Sequence, residues 1–157
     1  MTWRGDTTIR DRIFAVLPYL LPLMYGLQFG RFLFVQFPVL NIILIPLAPL
    51  MSIYQAIPFA GLVIFFALYL LVVRNSNIPH FIRFNTMQAI LLDIIIVLCS
   101  IIVGVFAAGL QGFILETIYN MLFLGILAAV IYSVVQSLRG QYAEIPTISD
   151  AVYMQVP

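Results

Sequence analysis

The stretch Arg83-Phe84-Asn85-Thr86-Met87-Gln88-Ala89-Ile90-Leu91-Leu92-Asp93 decides how this chain is read. It leads an arginine, two amides and a carboxylate into residues 94–115, which hold no charge. A spanning helix needs about 20 apolar residues, and this run supplies them. The polar groups at its start then need a reason. A central carboxylate costs at least ~2.5–3.5 kcal/mol on insertion scales. Asp93 therefore persists only if paired, protonated or hydrated.

The rest of the chain fits the same solvent. Of 157 residues, 64% are hydrophobic and only 8% are charged. A soluble domain carries roughly 25% charge. So few charges cannot cover a water-soluble globule, and the composition reads as a polytopic membrane protein. The net charge of +1 excludes the basic footprint of a nucleic-acid binder. Cys99 is the single cysteine, so no internal disulfide forms.

Charges divide the chain. Residues 13–30, 32–73, 94–115 and 117–138 hold none. Unpaired backbone groups are not tolerated in hydrocarbon, so continuous apolar runs must be helices. The expected fold is an all-α integral membrane protein, a single domain over residues 1–157. Its four transmembrane helices are expected at about 12–30, 54–73, 84–110 and 115–138.

Residues 31–53 stand apart. Pro38, Pro46 and Pro49 make a regular helix through them unfavourable. This Pro-rich segment is expected to be interfacial or re-entrant, between the first and second spans. Asn77 is a candidate cap for the third helix. The tail, residues 141–157, is short, mildly acidic and expected to be loosely ordered.

Residues 1–12 are too short and too acidic for an organelle transit peptide, and no small-residue cleavage site follows the first apolar run. Orientation follows from arginines, which accumulate on the cytosolic side. Four spans put Arg4, Arg10, Arg12, Arg74, Arg83 and Arg139 on one side and Arg31 alone on the other. Both termini are thus expected in the cytosol, or the stroma of a plastid.

On a 3.6-residue wheel Asn85, Ala89, Asp93, Ser100, Gly104, Ala107 and Gln111 share one face of the third span. That stripe should meet protein or water. The candidate polar face is Arg83, Asn85, Gln88, Asp93 and Ser100. Asp93 either lines a hydrophilic path or contacts a substrate, or it braces helices, with Gln55, Tyr69, Asn120 and Tyr132 as possible partners. Arg83 reads as an interface anchor or as a contact for an anion or peptide carboxylate. His80 reads as an interface residue. Gly26 and Gly30 form a GxxxG pair, and Gly104, Gly125 and Ala129 are further small residues for helix packing.

No Walker loop, GxSxG elbow, HExxH motif or Cys/His cluster occurs. No catalytic, cofactor-binding or metal residues are expected, and no enzyme.

Arg83-Phe84-Asn85 followed by Met87-Gln88-Ala89-Ile90-Leu91-Leu92-Asp93-Ile94 resembles the signature of the twenty-kilodalton subunit of the chloroplast inner-envelope protein translocon (the Tic complex). Tyr19-Leu20-Leu21-Pro22, Phe37-Pro38, Ile57-Pro58-Phe59-Ala60-Gly61, Arg74-Asn75, Ile145-Pro146 and Ser149-Asp150-Ala151 extend the likeness from about residue 11 to 155. Without a transit peptide, the cyanobacterial or plastid-encoded type is the nearer match.

The resemblance implies four helices with stromal termini, in a component proposed to conduct preproteins. It places Arg83, Asn85, Gln88 and Asp93 at or near a conducting or packing face. Expected partners are the lipid bilayer, other membrane subunits or self-association, and a translocating polypeptide. The alternatives are a structural or assembly factor in a cyanobacterial membrane, or a small channel or transporter. The expected location is a cyanobacterial plasma or thylakoid membrane, or the plastid inner envelope.

Overall fold

The computed structural model describes residues 6–157, so Arg4 lies outside the described residues. The described residues are mostly helical, and none of them forms a strand. We number its helices α1 (Ile9–Gln36), α2 (Pro38–Ala56), α3 (Ala60–Val73), α4 (His80–Gly109), α5 (Phe113–Leu138) and α6 (Ile148–Gln155). Four of these, α1, α2, α4 and α5, are long and apolar enough to cross a membrane.

A capping box opens α1: the Thr8 hydroxyl accepts from the Asp11 amide, and the Asp11 carboxylate accepts from the Thr8 amide. Two 3-10 turns, Leu17–Tyr19 and Leu27–Gly30, interrupt its α geometry without ending it. Pro18, Pro22, Gly26 and Gly30 follow one another at four-residue steps, and all four are buried. This stripe meets α5. A Cβ on Gly26 would lie 2.7 Å from Ile126 Cγ2, and one on Gly30 would lie 2.9 Å from Phe123 Cε2.

The interfacial or re-entrant placement expected for residues 31–53 is not confirmed. α1 runs on to Gln36, the chain turns at Phe37, and residues 38–56 are helical. The prolines permit this because Pro38 opens the 3-10 part, Pro38–Ile43, and Pro46 lies in the first turn of the α-helical part, Leu44–Ala56, where a missing amide proton is not needed. Only Pro49 lies inside the α-helical part.

The run expected as the second span, 54–73, is divided. The break falls at Ile57–Phe59, where Phe59 adopts a left-handed φ of 57°. α2 leads back from the Phe37 corner to the level of Tyr25, whose hydroxyl meets that of Tyr54. α3 completes the return, ending in a π-helical turn at Tyr69–Val73.

α4 starts at His80 with Pro79 at the cap. Asn77 is not the cap, since proline at that site already fixes the entry. Glu116 lies in the first turn of α5, where a negative charge is favoured. Gly140, at φ 75°, closes α5, and a Cβ there would lie 2.5 Å from Thr7 Oγ1.

The tail is not loose. Val152 and Val156 of the α6 segment pack with Val73, Phe84, Met87 and Ile90. Ile148, Val152 and Val156 recur at four-residue steps, which makes one apolar face. His80 secures it, with Nδ1 2.9 Å from the Tyr142 hydroxyl and Nε2 3.1 Å from the Val156 carbonyl.

The two described ends of the chain share one end of the bundle. Arg12 donates to the Leu138 carbonyl at 3.4 Å, and Arg83 Nε donates to the Val73 carbonyl at 2.9 Å. Arg31 lies elsewhere, its guanidinium 4.4 Å from the Tyr119 ring centre and 4.7 Å from that of Phe32.

Candidate functional site

The polar face of α4 separates into two parts with different surroundings. The first is a closed hydrogen-bonded knot. Asn85 and Gln88 are both fully buried. The Tyr19 hydroxyl from α1 and the Ser137 hydroxyl from α5 both donate to Asn85 Oδ1, at 2.9 and 2.8 Å. Asn85 Nδ2 returns to the Phe81 carbonyl of its own helix at 2.9 Å.

Gln88 continues the chain of donors. Its Nε2 donates to the Tyr19 hydroxyl at 3.1 Å and to the Ala143 carbonyl at 2.8 Å. Ser133 Oγ is a longer neighbour at 3.4 Å. Ser149 Oγ donates to Gln88 Oε1 at 3.0 Å and accepts from the Ile145 amide at 2.6 Å. One knot therefore ties α1, α4, α5 and the tail. Buried polar groups are tolerated where each has partners, as here.

Arg83 stands beside the knot. Its bond to the Val73 carbonyl satisfies the end of α3, whose last carbonyls have no helical partner.

The second part is open. Asp93 lies about 12–15 Å along the axis from Arg83 and Asn85, at 1.5 Å per residue. It makes no hydrogen bond or ion pair among the described residues, and its Oδ1 is buried without a partner. Gln55, Tyr69, Asn120 and Tyr132, the partners considered from sequence, do not bond to it. Its cavity, of about 380 Å³, is lined by Tyr25, Gly61, Leu62, Phe65 and Val97 as well.

A second cavity of about 350 Å³, lined by Gln28 and Ser100, shares Tyr25 and Val97 with the first. Ser100 Oγ donates to Gln28 Oε1 at 3.2 Å. Asp93 and Ser100 thus lie along one side groove bounded by α1, α3 and α4. Gly61 makes room for the tyrosine pair above it. A Cβ there would fall 2.5 Å from the Tyr54 hydroxyl and 2.7 Å from that of Tyr25.

Among the small residues, Gly26 and Gly30 meet α5 closely, whereas a Cβ on Gly104 or Gly125 would find nothing within 4 Å. Ala129 is half-buried and packs beside Tyr19, Ala89, Leu92 and Val130. Sequence reasoning overlooked Tyr25, Tyr54 and Ser137, and met Tyr19 and Ser149 only in the family resemblance, with no site role. Ser133 and Ser137 are one turn apart on an apolar helix, and that spacing was the available signal.

A family model described as "Chloroplast import apparatus Tic20-like" matches residues 8–152. A "Tic20 family protein" of Synechocystis sp. is 52% identical over 149 residues, covering 94% of this chain and 93% of that protein. "Protein TIC 20-II, chloroplastic" of Arabidopsis thaliana is 34% identical over 154 residues, 96% of this chain and 74% of that one. "Tic20 family protein Ycf60" of Porphyra purpurea is 38% identical over 162 residues, 99% of this chain and 80% of that one. The likeness reaches from the first turn of α1 into α6, knot and groove included, and this chain belongs to the Tic20-like family of the chloroplast import apparatus.

Proposed function

We propose that this chain is a multi-pass subunit for protein translocation or membrane-protein insertion, with the Asp93 groove as the surface that meets another polypeptide. The observation that carries this reading is the Asp93 carboxyl itself. It sits within an apolar helix with an orphaned buried oxygen, in a groove that the bundle leaves open. A polar group in hydrocarbon is expensive and is usually functional. A donor from a neighbouring chain would complete it.

Both termini face the cytosol or stroma in this reading. Support comes from Arg10, Arg12, Arg74, Arg83 and Arg139, which the four-span count puts on one side against Arg31 on the other. Translocated polypeptides and further membrane subunits are the proposed partners. Non-enzymatic action is part of the proposal, since the groove offers one carboxyl and no nucleophile–base pair.

A second reading is a structural or assembly factor. The fully bonded knot at Asn85 and Gln88 favours it over a solitary channel, because buried side chains fill the space between α1, α4 and α5 there. The test is purification of the intact complex from native membranes after mild solubilisation. Translocation or insertion factors among the stable partners support the proposal. A complex holding none of them removes it.

A further inference from the structure

A different cavity, of about 670 Å³, lies between α1, α3 and the start of α4. Phe14, Leu17 and Leu21 of α1 form one wall, and Ile64, Leu68 and Val72 of α3 form the other. Each set repeats at helical spacing, so each presents a continuous apolar strip. Leu50 of α2 bounds the cavity as well. From Arg10 to Leu21 the helix rises about 16 Å at 1.5 Å per residue. One leaflet's hydrocarbon is about 15 Å deep, half of the ~30 Å core.

Two polar features mark the cavity as more than a greasy seam. Thr86 lines it, is fully buried, and its Oγ1 has no hydrogen-bond partner. A buried hydroxyl without a partner is unfavourable, and it implies an acceptor that the chain does not supply. Arg10 lines the same cavity, is exposed, and forms no ion pair among the described residues. Asp11 lines the cavity too, and its carboxylate is engaged in the capping box of α1, accepting from the Thr8 amide at 2.9 Å.

We infer that this cavity is a binding site for one acyl chain of an anionic membrane lipid, in the leaflet nearest Arg10. The chain lies between the apolar strips of α1 and α3. Arg10 meets the headgroup phosphate, and Thr86 donates to an ester carbonyl. The site is separate from the Asp93 groove and does not depend on the translocation reading.

The test uses the full-length protein in nanodiscs of equal phosphatidylglycerol and phosphatidylcholine, followed by native mass spectrometry. The expected result is one retained lipid, with phosphatidylglycerol favoured about five-fold, in line with one arginine near a membrane surface. Arg10→Gln keeps the lipid but brings the preference near parity. Thr86→Val speeds its loss, and Leu68→Trp, which fills the cavity, removes it.

Equal retention of both lipids by the unaltered protein overturns the inference, as does an unchanged lipid in a folded Leu68→Trp. Should Leu68→Trp fail to fold, phosphatidylglycerol with a diazirine in mid-chain is crosslinked to the unaltered protein. Labels concentrated on Leu17, Leu21 and Leu68 support the site. Labels spread in proportion to exposure, as on Ile101 and Met121, overturn it. So does a photoreactive residue at position 14 that captures polypeptide in place of lipid.

Discussion

Gln88 donates its side-chain amide to the Ala143 carbonyl at 2.8 Å, and Ser149 donates back to the same side chain at 3.0 Å. A residue inside a long apolar helix thus holds both ends of the turn that leads into α6. The tail is fastened to the membrane domain by a buried amide, and apolar packing through Val152 and Val156 completes the join.

Replacing that amide should release the tail. Gln88→Leu leaves the Ala143 carbonyl without a partner and the Ser149 hydroxyl proton without an acceptor, although Ser149 Oγ still accepts from the Ile145 amide. Hydrogen bonds between membrane helices average only ~0.6 kcal/mol. Orphaned buried groups cost about 1–3 kcal/mol each, and here the partners come from the tail, so the larger figure governs. The expected loss is about 2–3 kcal/mol, with protease cleavage appearing within residues 141–157. Limited proteolysis and thermal unfolding in detergent measure both.

The glycines should divide into two classes. Gly26→Leu and Gly30→Leu drive side chains into Ile126 and Phe123, with an expected loss of about 1–3 kcal/mol or more. Gly104→Ala and Gly125→Ala meet nothing within 4 Å. These should be neutral or gain roughly 0.5–1 kcal/mol of helix stability. Thermal unfolding of the four variants tests the division.

Near the groove, Gly61→Ala should separate the Tyr25 and Tyr54 hydroxyls, because its methyl would lie 2.5 Å from one and 2.7 Å from the other. Tyr54→Phe should cost about 0.5–1.5 kcal/mol, the usual net value of one hydrogen bond. Combined, the two changes should cost less than their sum, since both remove the same contact. A double-mutant cycle reads this coupling directly.

Asp93 should show stability and function moving in opposite directions. Asp93→Leu removes an unpartnered carboxyl oxygen, so the isolated protein should gain about 1–3 kcal/mol. The same change should abolish assembly with its partner chain. Asp93→Asn keeps the hydrogen-bonding shape and should retain assembly. Co-purification with partners, set beside thermal unfolding, separates the two effects.

Much of the architecture was legible because lipid imposes one rule along the chain: long uncharged runs must be helices. The 94–115 run and the stretch after Glu116 became α4 and α5 on that rule alone. Proline misled at Pro38 and Pro46, since its cost depends on whether it falls in a first turn, which composition does not reveal. The second half of that path divides at Pro58, which holds Ile57 extended and was a readable signal, whereas the left-handed φ of Phe59 was not.

The polar face was legible as a stripe but not as two environments. Asn85, Gln88 and Asp93 share a helix, yet what each meets is set by other helices. Tyr19 and Ser137 reach Asn85 across sequence separations of 66 and 52 residues. Tyr25 and Gly61, which line the cavity of Asp93, likewise come from other helices. The tail was misjudged because Ile148, Val152 and Val156 are few and widely spaced, and only docking reveals the face they make.

The most direct test places a photoreactive amino acid at position 97, in the groove beside Asp93, and another at position 102 on the exposed flank of α4, in native membranes. The account predicts polypeptide adducts from position 97 that vanish in Asp93→Leu, with lipid adducts alone from position 102. Lipid adducts alone from both positions would contradict it.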